Sequence, residues 1–109
     1  MKKLRIYWTT FSLKCLDEIQ GYIKKKTASE TIANKLVSKL ISRVEQLKDF
    51  PESGQQESLL KHLNQNGRYL VEGNYKIIYQ FDGTNVIVTD VFHVKQNPSK
   101  IVKKKTKDK

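Results

Sequence analysis

The chain has 109 residues and a formal net charge of +10, from 21 lysines and arginines against 11 aspartates and glutamates. This length allows one domain with a single modest core. No apolar run reaches the roughly 20 residues of a membrane-spanning helix, and a lone cysteine, Cys15, excludes an internal disulfide framework. The first residues lack the apolar stretch of a secretory signal, so we expect a reduced, cytoplasmic protein with no membrane partner.

The first half of the chain predicts one strand followed by a helical hairpin. Apolar side chains alternate over Leu4–Trp8, which is typical of a half-buried strand. Thr9 or Thr10 then begins a helix, in which Gly21 is expected to allow close approach of its neighbour. Ser29 is placed to cap a second helix with an apolar stripe at helical spacing. The two helices should form a long antiparallel hairpin that ends at the proline and glycine of 50–54.

The second half predicts an antiparallel sheet. Residues 55–67 are polar and are expected to form a loop with one helical turn. From residue 68 the hydrophobic period changes to two, which predicts strands over 68–72, 75–81 and 86–93. The result is an α+β fold of order β-α-α-β-β-β, with a small antiparallel sheet and a long two-helix hairpin packed on one face. We assign 1–98 to this domain and 99–109 to a lysine-rich C-terminal tail.

The last hairpin predicts which side chains share a face. Symmetric closure of its turn gives four cross-strand pairs on one face, namely Phe81–Val86, Tyr79–Val88, Ile77–Asp90 and Tyr75–Phe92. This apolar face should meet the helices. The mixed face, which carries Lys76 and His93 as diagonal neighbours, should lie open or form a partner-binding groove. A one-residue bulge would reverse this arrangement, because it turns every later side chain to the other face.

No common catalytic or nucleotide-binding motif is present, and the two histidines have no metal-ligand spacing, so we expect no metal or cofactor. RNA cleavage by a 2′-hydroxyl needs a base, an acid and a cation that stabilises the phosphorane. His93 can serve as acid or base, and Lys76, Arg68 or Lys95 can hold the phosphate. In the competing interpretation the lysines are solvated strand residues and His93 hydrogen-bonds at a strand end.

Several segments together resemble the toxins of the RelE/ParE superfamily. They are Trp8–Thr10 before the first helix, Phe50–Gly54 after the second, Arg68–Tyr79 in the first predicted hairpin, and Asp90–Pro98 at the close of the sheet. The resemblance extends over nearly the whole chain and agrees with the predicted element order. It implies the toxin half of a type II toxin–antitoxin module, which stalls growth and is neutralised by a small antitoxin in a hetero-oligomeric complex.

Two targets are implied by this resemblance. ParE-like members poison DNA gyrase and are not nucleases, whereas RelE-like members cut mRNA in the ribosomal A site. The long helical hairpin favours the ParE-like action on gyrase, for which Lys76, Lys95 and Arg68 are the predicted target-binding residues. The basic charge keeps ribosome-dependent mRNA cleavage as the alternative, with Lys76, His93 and Arg68 as catalytic residues. A basic binding module of the same fold without toxicity is the third hypothesis.

Overall fold

Two helices pack on one face of a five-stranded sheet in the computed structural model, which describes residues 4–56 and 67–95. The elements are β1 Arg5–Trp8, α1 Thr10–Thr27, α2 Glu30–Glu45, β2 Gln55–Gln56, β3 Gly67–Glu72, β4 Tyr75–Phe81 and β5 Asn85–His93. The predicted α+β fold with a two-helix hairpin is confirmed. The tail predicted at 99–109 lies outside the described residues.

The sheet has the strand order β1-β5-β4-β3-β2 and is mixed. β1 lies parallel to β5, so the predicted all-antiparallel sheet is wrong at this edge; the other neighbours pair antiparallel. The pairing continues past β1, where the Thr9 amide donates to the Val88 carbonyl at 3.1 Å. β2 pairs with β3 inside the predicted loop of 55–67. The helical turn predicted there falls on 57–66, outside the described residues.

Both helices begin at the caps that the sequence predicts. The Thr9 hydroxyl oxygen accepts a hydrogen bond from the Ser12 amide at 3.1 Å, and the Ser29 hydroxyl oxygen accepts from the Ile32 amide at 3.1 Å. Each cap satisfies an amide that the first helical turn leaves without a partner. The expectation for Gly21 is wrong, because a Cβ atom at this position would meet nothing within 4 Å.

The main core lies between the helices and the sheet. Its fully buried side chains include Leu40, Val44 and Leu47 from the end of α2 and the turn after it. Burial of one such side chain stabilises the fold by about 1.5–3 kcal/mol. Cys15 also belongs to this cluster and is buried, so it packs as a small core residue.

A bulge in β5 reverses the predicted faces in the second half of that strand. The pairs Phe81–Val86 and Tyr79–Val88 are confirmed, but the register then shifts, and the next pairs are Ile78–Asp90, Ile77–Val91, Lys76–Phe92 and Tyr75–His93. Thr89 is the extra residue. Its hydroxyl donates to Asp90 Oδ2 at 2.8 Å, which gives this buried carboxylate a donor where the ladder is interrupted.

The face of the sheet away from the helices is therefore not open at its centre. The bulge turns Phe92 onto this face beside Ile78, and the two side chains are only 2% and 3% exposed. Phe11 and Tyr69 pack against them and form a second, smaller apolar cluster. The predicted open face is wrong here, because a one-residue shift moved an aromatic side chain from one face to the other.

Candidate functional site

Lys76 and His93 lie on opposite faces of the sheet. Lys76 points away from the helices, and its Nζ atom lies 4.2 Å from the centroid of the Tyr69 ring, a cation–π contact. His93 pairs with Tyr75 on the helix-facing side, where the two ring centroids are 5.3 Å apart at an interplanar angle of 79°. The prediction that they share a face is wrong because of the bulge in β5, and they do not form one site.

His93 occupies the end of β5 and hydrogen-bonds to the backbone that follows. Its Nδ1 atom accepts from the Lys95 amide at 3.1 Å. A ring that accepts at Nδ1 carries the proton of its neutral form on Nε2. This is the strand-end role that the competing interpretation expects. The Lys95 side chain is exposed just beyond the strand.

Arg68 holds a loop rather than standing free for a ligand. Its Nη1 atom donates to the carbonyl oxygens of Glu52 and Gly54 at 3.1 and 3.0 Å, and Nη2 lies 3.7 Å from a Glu52 carboxylate oxygen. Arg68 pairs with Tyr79 on the helix-facing side of the sheet, so it also lies on the face opposite Lys76. The three residues predicted for RNA cleavage are therefore not brought together.

Tyr79 hydrogen-bonds to the same loop, residues Phe50–Gly54, which we call the Phe50 loop. The fully buried Tyr79 hydroxyl accepts from the Gly54 amide at 2.9 Å and donates to the Pro51 carbonyl oxygen at 2.8 Å. Burial raises the pKa of this hydroxyl, and the Gly54 hydrogen bond partly opposes the shift. The sequence predicted Tyr79 as a core residue, but this role depends on a contact 25 residues away along the chain.

A groove of about 1000 Å³ lies between α1 and the ends of β4 and β5. We call it the α1 groove. One wall is a ridge of α1 side chains at four-residue spacing, Lys14, Glu18, Tyr22 and Lys26. The sheet side of the groove includes Tyr75, Val91, Phe92 and His93. Sequence reasoning missed this groove, because the bulge decides which side chains of β5 face it.

Two aromatic hydroxyls and a cation line the groove. Lys26 Nζ is 5.7 Å from the centroid of the Tyr22 ring, and the Tyr22 side chain is 60% exposed. Burial raises the pKa of Tyr75, and the neighbouring Tyr22 hydroxyl adds to the shift. The aromatic and apolar side chains of the groove suit an apolar ligand surface, while the lysines suit anionic groups.

Within residues 4–56 and 67–95, no group of three or more His, Cys, Asp or Glu side chains could hold a metal ion. Neither described helix is long and apolar enough to cross a membrane.

A family model described as "ParE toxin of type II toxin-antitoxin system, parDE" matches residues 6–98. The chain belongs to this ParE toxin family. The fold of this ParE-family toxin is similar to a solved chain of the chromosomal ParDE TA system from P. aeruginosa, with a TM-score of 0.64 and 14% sequence identity over 84% of this chain and 96% of that chain. No curated protein matches the chain.

Proposed function

We propose that this ParE-family toxin stops growth in the cytoplasm by acting on DNA gyrase and that a cognate antitoxin neutralises it. The family match over residues 6–98 supports a type II toxin. The observation that favours gyrase over mRNA cleavage is the separation of Lys76 and His93 by the sheet.

RNA cleavage places a stringent demand on geometry. The group that moves the proton and the cation that stabilises the phosphorane must both reach the same phosphate within hydrogen-bonding distance. Lys76 lies over the Tyr69 ring on one face of the sheet, and His93 lies edge-on to the Tyr75 ring on the other. Arg68 is bound to the Phe50 loop. In this arrangement these side chains cannot all contact one phosphate. The geometry therefore favours a target that the protein binds and does not cut.

Lys76 and Lys95 are the proposed contacts to the target. Lys76 is half-buried and Lys95 is exposed, so both can approach an acidic surface. The net charge of +10 favours such a surface and speeds encounter with it. For Arg68 the geometry supports a positioning role instead, because its Nη1 atom holds the Phe50 loop through two hydrogen bonds.

A supercoiling assay with purified gyrase tests the proposed target. The chain should inhibit supercoiling. For the same inhibition, the double variant Lys76→Glu/Lys95→Glu should require a protein concentration at least about tenfold higher, as expected when charged contacts are reversed. The matched control is Lys35→Glu/Lys39→Glu, which makes the same charge change at exposed positions on α2. Full supercoiling in the presence of a chain that arrests growth would overturn the gyrase assignment.

A further inference from the structure

Phe50 is a large aromatic side chain that the fold leaves in solvent. It is 68% exposed, the largest exposed fraction among the large apolar side chains of the described residues. Neither of the two buried clusters found in that part of the chain includes it. The side chain therefore adds little to the stability of the fold, because apolar surface stabilises only when it leaves water. Large aromatic side chains of this kind are enriched among the residues that dominate binding at protein interfaces.

Hydrogen bonds hold the backbone on both sides of Phe50. Its amide donates to the Gln46 carbonyl oxygen at 3.1 Å, and its carbonyl oxygen accepts from the Ser53 hydroxyl at 2.8 Å and from the Ser53 amide at 3.2 Å. The remainder of the Phe50 loop is bound to Tyr79 and Arg68. A loop that is already held in one conformation loses little entropy when it binds, so the aromatic side chain is preorganised for a partner.

The charges around the Phe50 loop favour a protein partner over a nucleic acid. They belong to three carboxylates and two cations, Glu45, Asp49, Glu52, Lys48 and Arg68. Lys48 lies 2.7 Å from Glu45, and Arg68 lies 3.7 Å from Glu52. The loop thus has a slight excess of negative charge on a chain of net charge +10. Phosphates avoid such a surface, whereas an apolar pocket with a basic rim complements it.

The Phe50 loop is continuous with the surface around Lys76. Gly54 ends the loop, and the next residue, Gln55, begins β2 and pairs with Tyr69. Gln55 Oε1 accepts from the Tyr69 hydroxyl at 2.8 Å, and Lys76 Nζ lies 4.2 Å from the centroid of the same tyrosine ring. An interface of ordinary size covers about 800 Å² of each partner. A protein that contacts Lys76 over such an area also reaches the loop.

From these features we infer that Phe50 is an anchor for the same target as Lys76 and inserts into an apolar pocket on a gyrase subunit. Tyr79 and Arg68 are the positioning residues that hold the loop for this contact. The inference rests on the proposed function, since it takes gyrase as the partner. The two contacts have different effects, because the charge of Lys76 speeds encounter while a buried aromatic anchor slows dissociation.

Inhibition of supercoiling by purified gyrase tests the anchor. Phe50→Ala should require a protein concentration at least about tenfold higher for half-inhibition, as expected for an aromatic hot spot. Tyr7→Ala is the matched control, because Tyr7 is also an exposed aromatic residue but lies on β1, at the opposite edge of the sheet from β2. It should change this concentration by less than about threefold. Circular dichroism checks that both variants fold, and equal inhibition by Phe50→Ala and the wild type would overturn the inference.

A double-mutant cycle tests the positioning residues. Tyr79→Phe should weaken inhibition about threefold or more, because the loop loses a contact that holds it. If Tyr79 acts through Phe50, Tyr79→Phe should cause no further loss of inhibition in a chain that already carries Phe50→Ala. The same cycle with Arg68→Ala tests the second residue. Equal losses with and without Phe50 would show an effect on stability alone and would overturn the positioning role.

The outcomes distinguish this inference from the proposed function. If the wild-type chain does not inhibit gyrase, the proposed target is wrong and the inference fails with it. If the wild type inhibits and Phe50→Ala inhibits equally, only the inference fails. The antitoxin, identified as the protein encoded beside the chain whose co-expression restores growth, should bind Phe50→Ala as tightly as the wild type. Tenfold weaker antitoxin binding with unchanged gyrase inhibition would assign the loop to the antitoxin, and loss of binding to DNA alone would contradict a protein partner.

Discussion

Tyr79 shows how one side chain joins distant parts of this chain. Its ring is fully buried between the helices and the sheet, and its hydroxyl contacts the Phe50 loop through Gly54 and Pro51. Arg68, its cross-strand partner, contacts the same loop from β3. Sequence reasoning predicted a buried Tyr79 from the alternation of β4, but it could not predict the hydroxyl contacts, because these depend on tertiary approach rather than on local pattern.

Removal of the Tyr79 hydroxyl tests this connection. Tyr79→Phe keeps the ring but leaves the buried Gly54 amide without its acceptor, which should lower the free energy of unfolding by about 1–3 kcal/mol. Urea unfolding measures the change. The exposed variant Tyr22→Phe is the control and should be nearly neutral. An equal stability of Tyr79→Phe and the wild type would show that the hydroxyl does not hold the loop.

The same hydroxyl should make stability depend on alkaline pH. Burial raises the pKa of Tyr79 in the folded state, so the unfolded chain releases this proton first as the pH rises. The stabilisation is therefore complete below the pKa of an unfolded tyrosine, about 10, and is lost as the pH rises through the folded value. Tyr79→Phe should lose less stability than the wild type over that range, and parallel curves would contradict the assignment.

Two glycines should respond in opposite directions to alanine. At Gly54 a Cβ atom would lie 2.5 Å from the Tyr79 hydroxyl oxygen and 2.8 Å from the Tyr69 carbonyl oxygen, so Gly54→Ala should destabilise the fold by about 1–3 kcal/mol. Gly21→Ala meets no neighbour within 4 Å inside α1 and should stabilise it by about 0.5–1 kcal/mol. Thermal unfolding of both variants checks the pair. Destabilisation by Gly21→Ala would contradict the open surroundings at that position.

At the scale of elements, the sequence predicts features that depend on neighbouring residues, such as helix caps. It does not predict features that depend on tertiary contacts, such as the bulge in β5. The sequence predicts Ser29 as one cap and Thr9 or Thr10 as the other, because a cap needs only the turn beside it, and the structure has Ser29 and Thr9. The bulge at Thr89 was not predicted, since β5 alternates well without it. Its benefit comes from turning Phe92 toward Ile78 and from the hydrogen bond to Asp90, neither of which the pattern of one strand contains.

Nuclear Overhauser contacts test the bulge directly. The ring protons of His93 should show contacts to the ring of Tyr75, because the centroids are 5.3 Å apart. Phe92 should show contacts to Ile78 on the other face. The confirmed pair Tyr79–Val88 serves as an internal control before the bulge. Contacts from His93 to Lys76 in place of those to Tyr75 would contradict the register.

At the scale of the whole molecule, the sheet separates two surfaces. Lys76 and Tyr69 lie on the face away from the helices, and His93 and Tyr75 lie on the other. The family was predictable because its motifs are spread along the chain in a fixed order, and the match over residues 6–98 confirms it. The site was less predictable, because one extra residue in β5 decides which of its side chains meet.

This separation connects the fold with the proposed action. A target contact through Lys76 would lie on the face of the sheet away from His93. Lys76 and His93 would share a face only if β5 lacked its bulge, and Arg68 would still lie on the other face.

The state of DNA and mRNA in cells that express the chain tests the central claim most directly. Growth should stop, gyrase-linked double-strand breaks should accumulate, and primer extension should find mRNA uncut. Codon-phased cuts in translated mRNA with intact DNA, abolished by changing Lys76 or His93, would contradict the gyrase assignment, and normal growth at good expression would contradict toxicity itself.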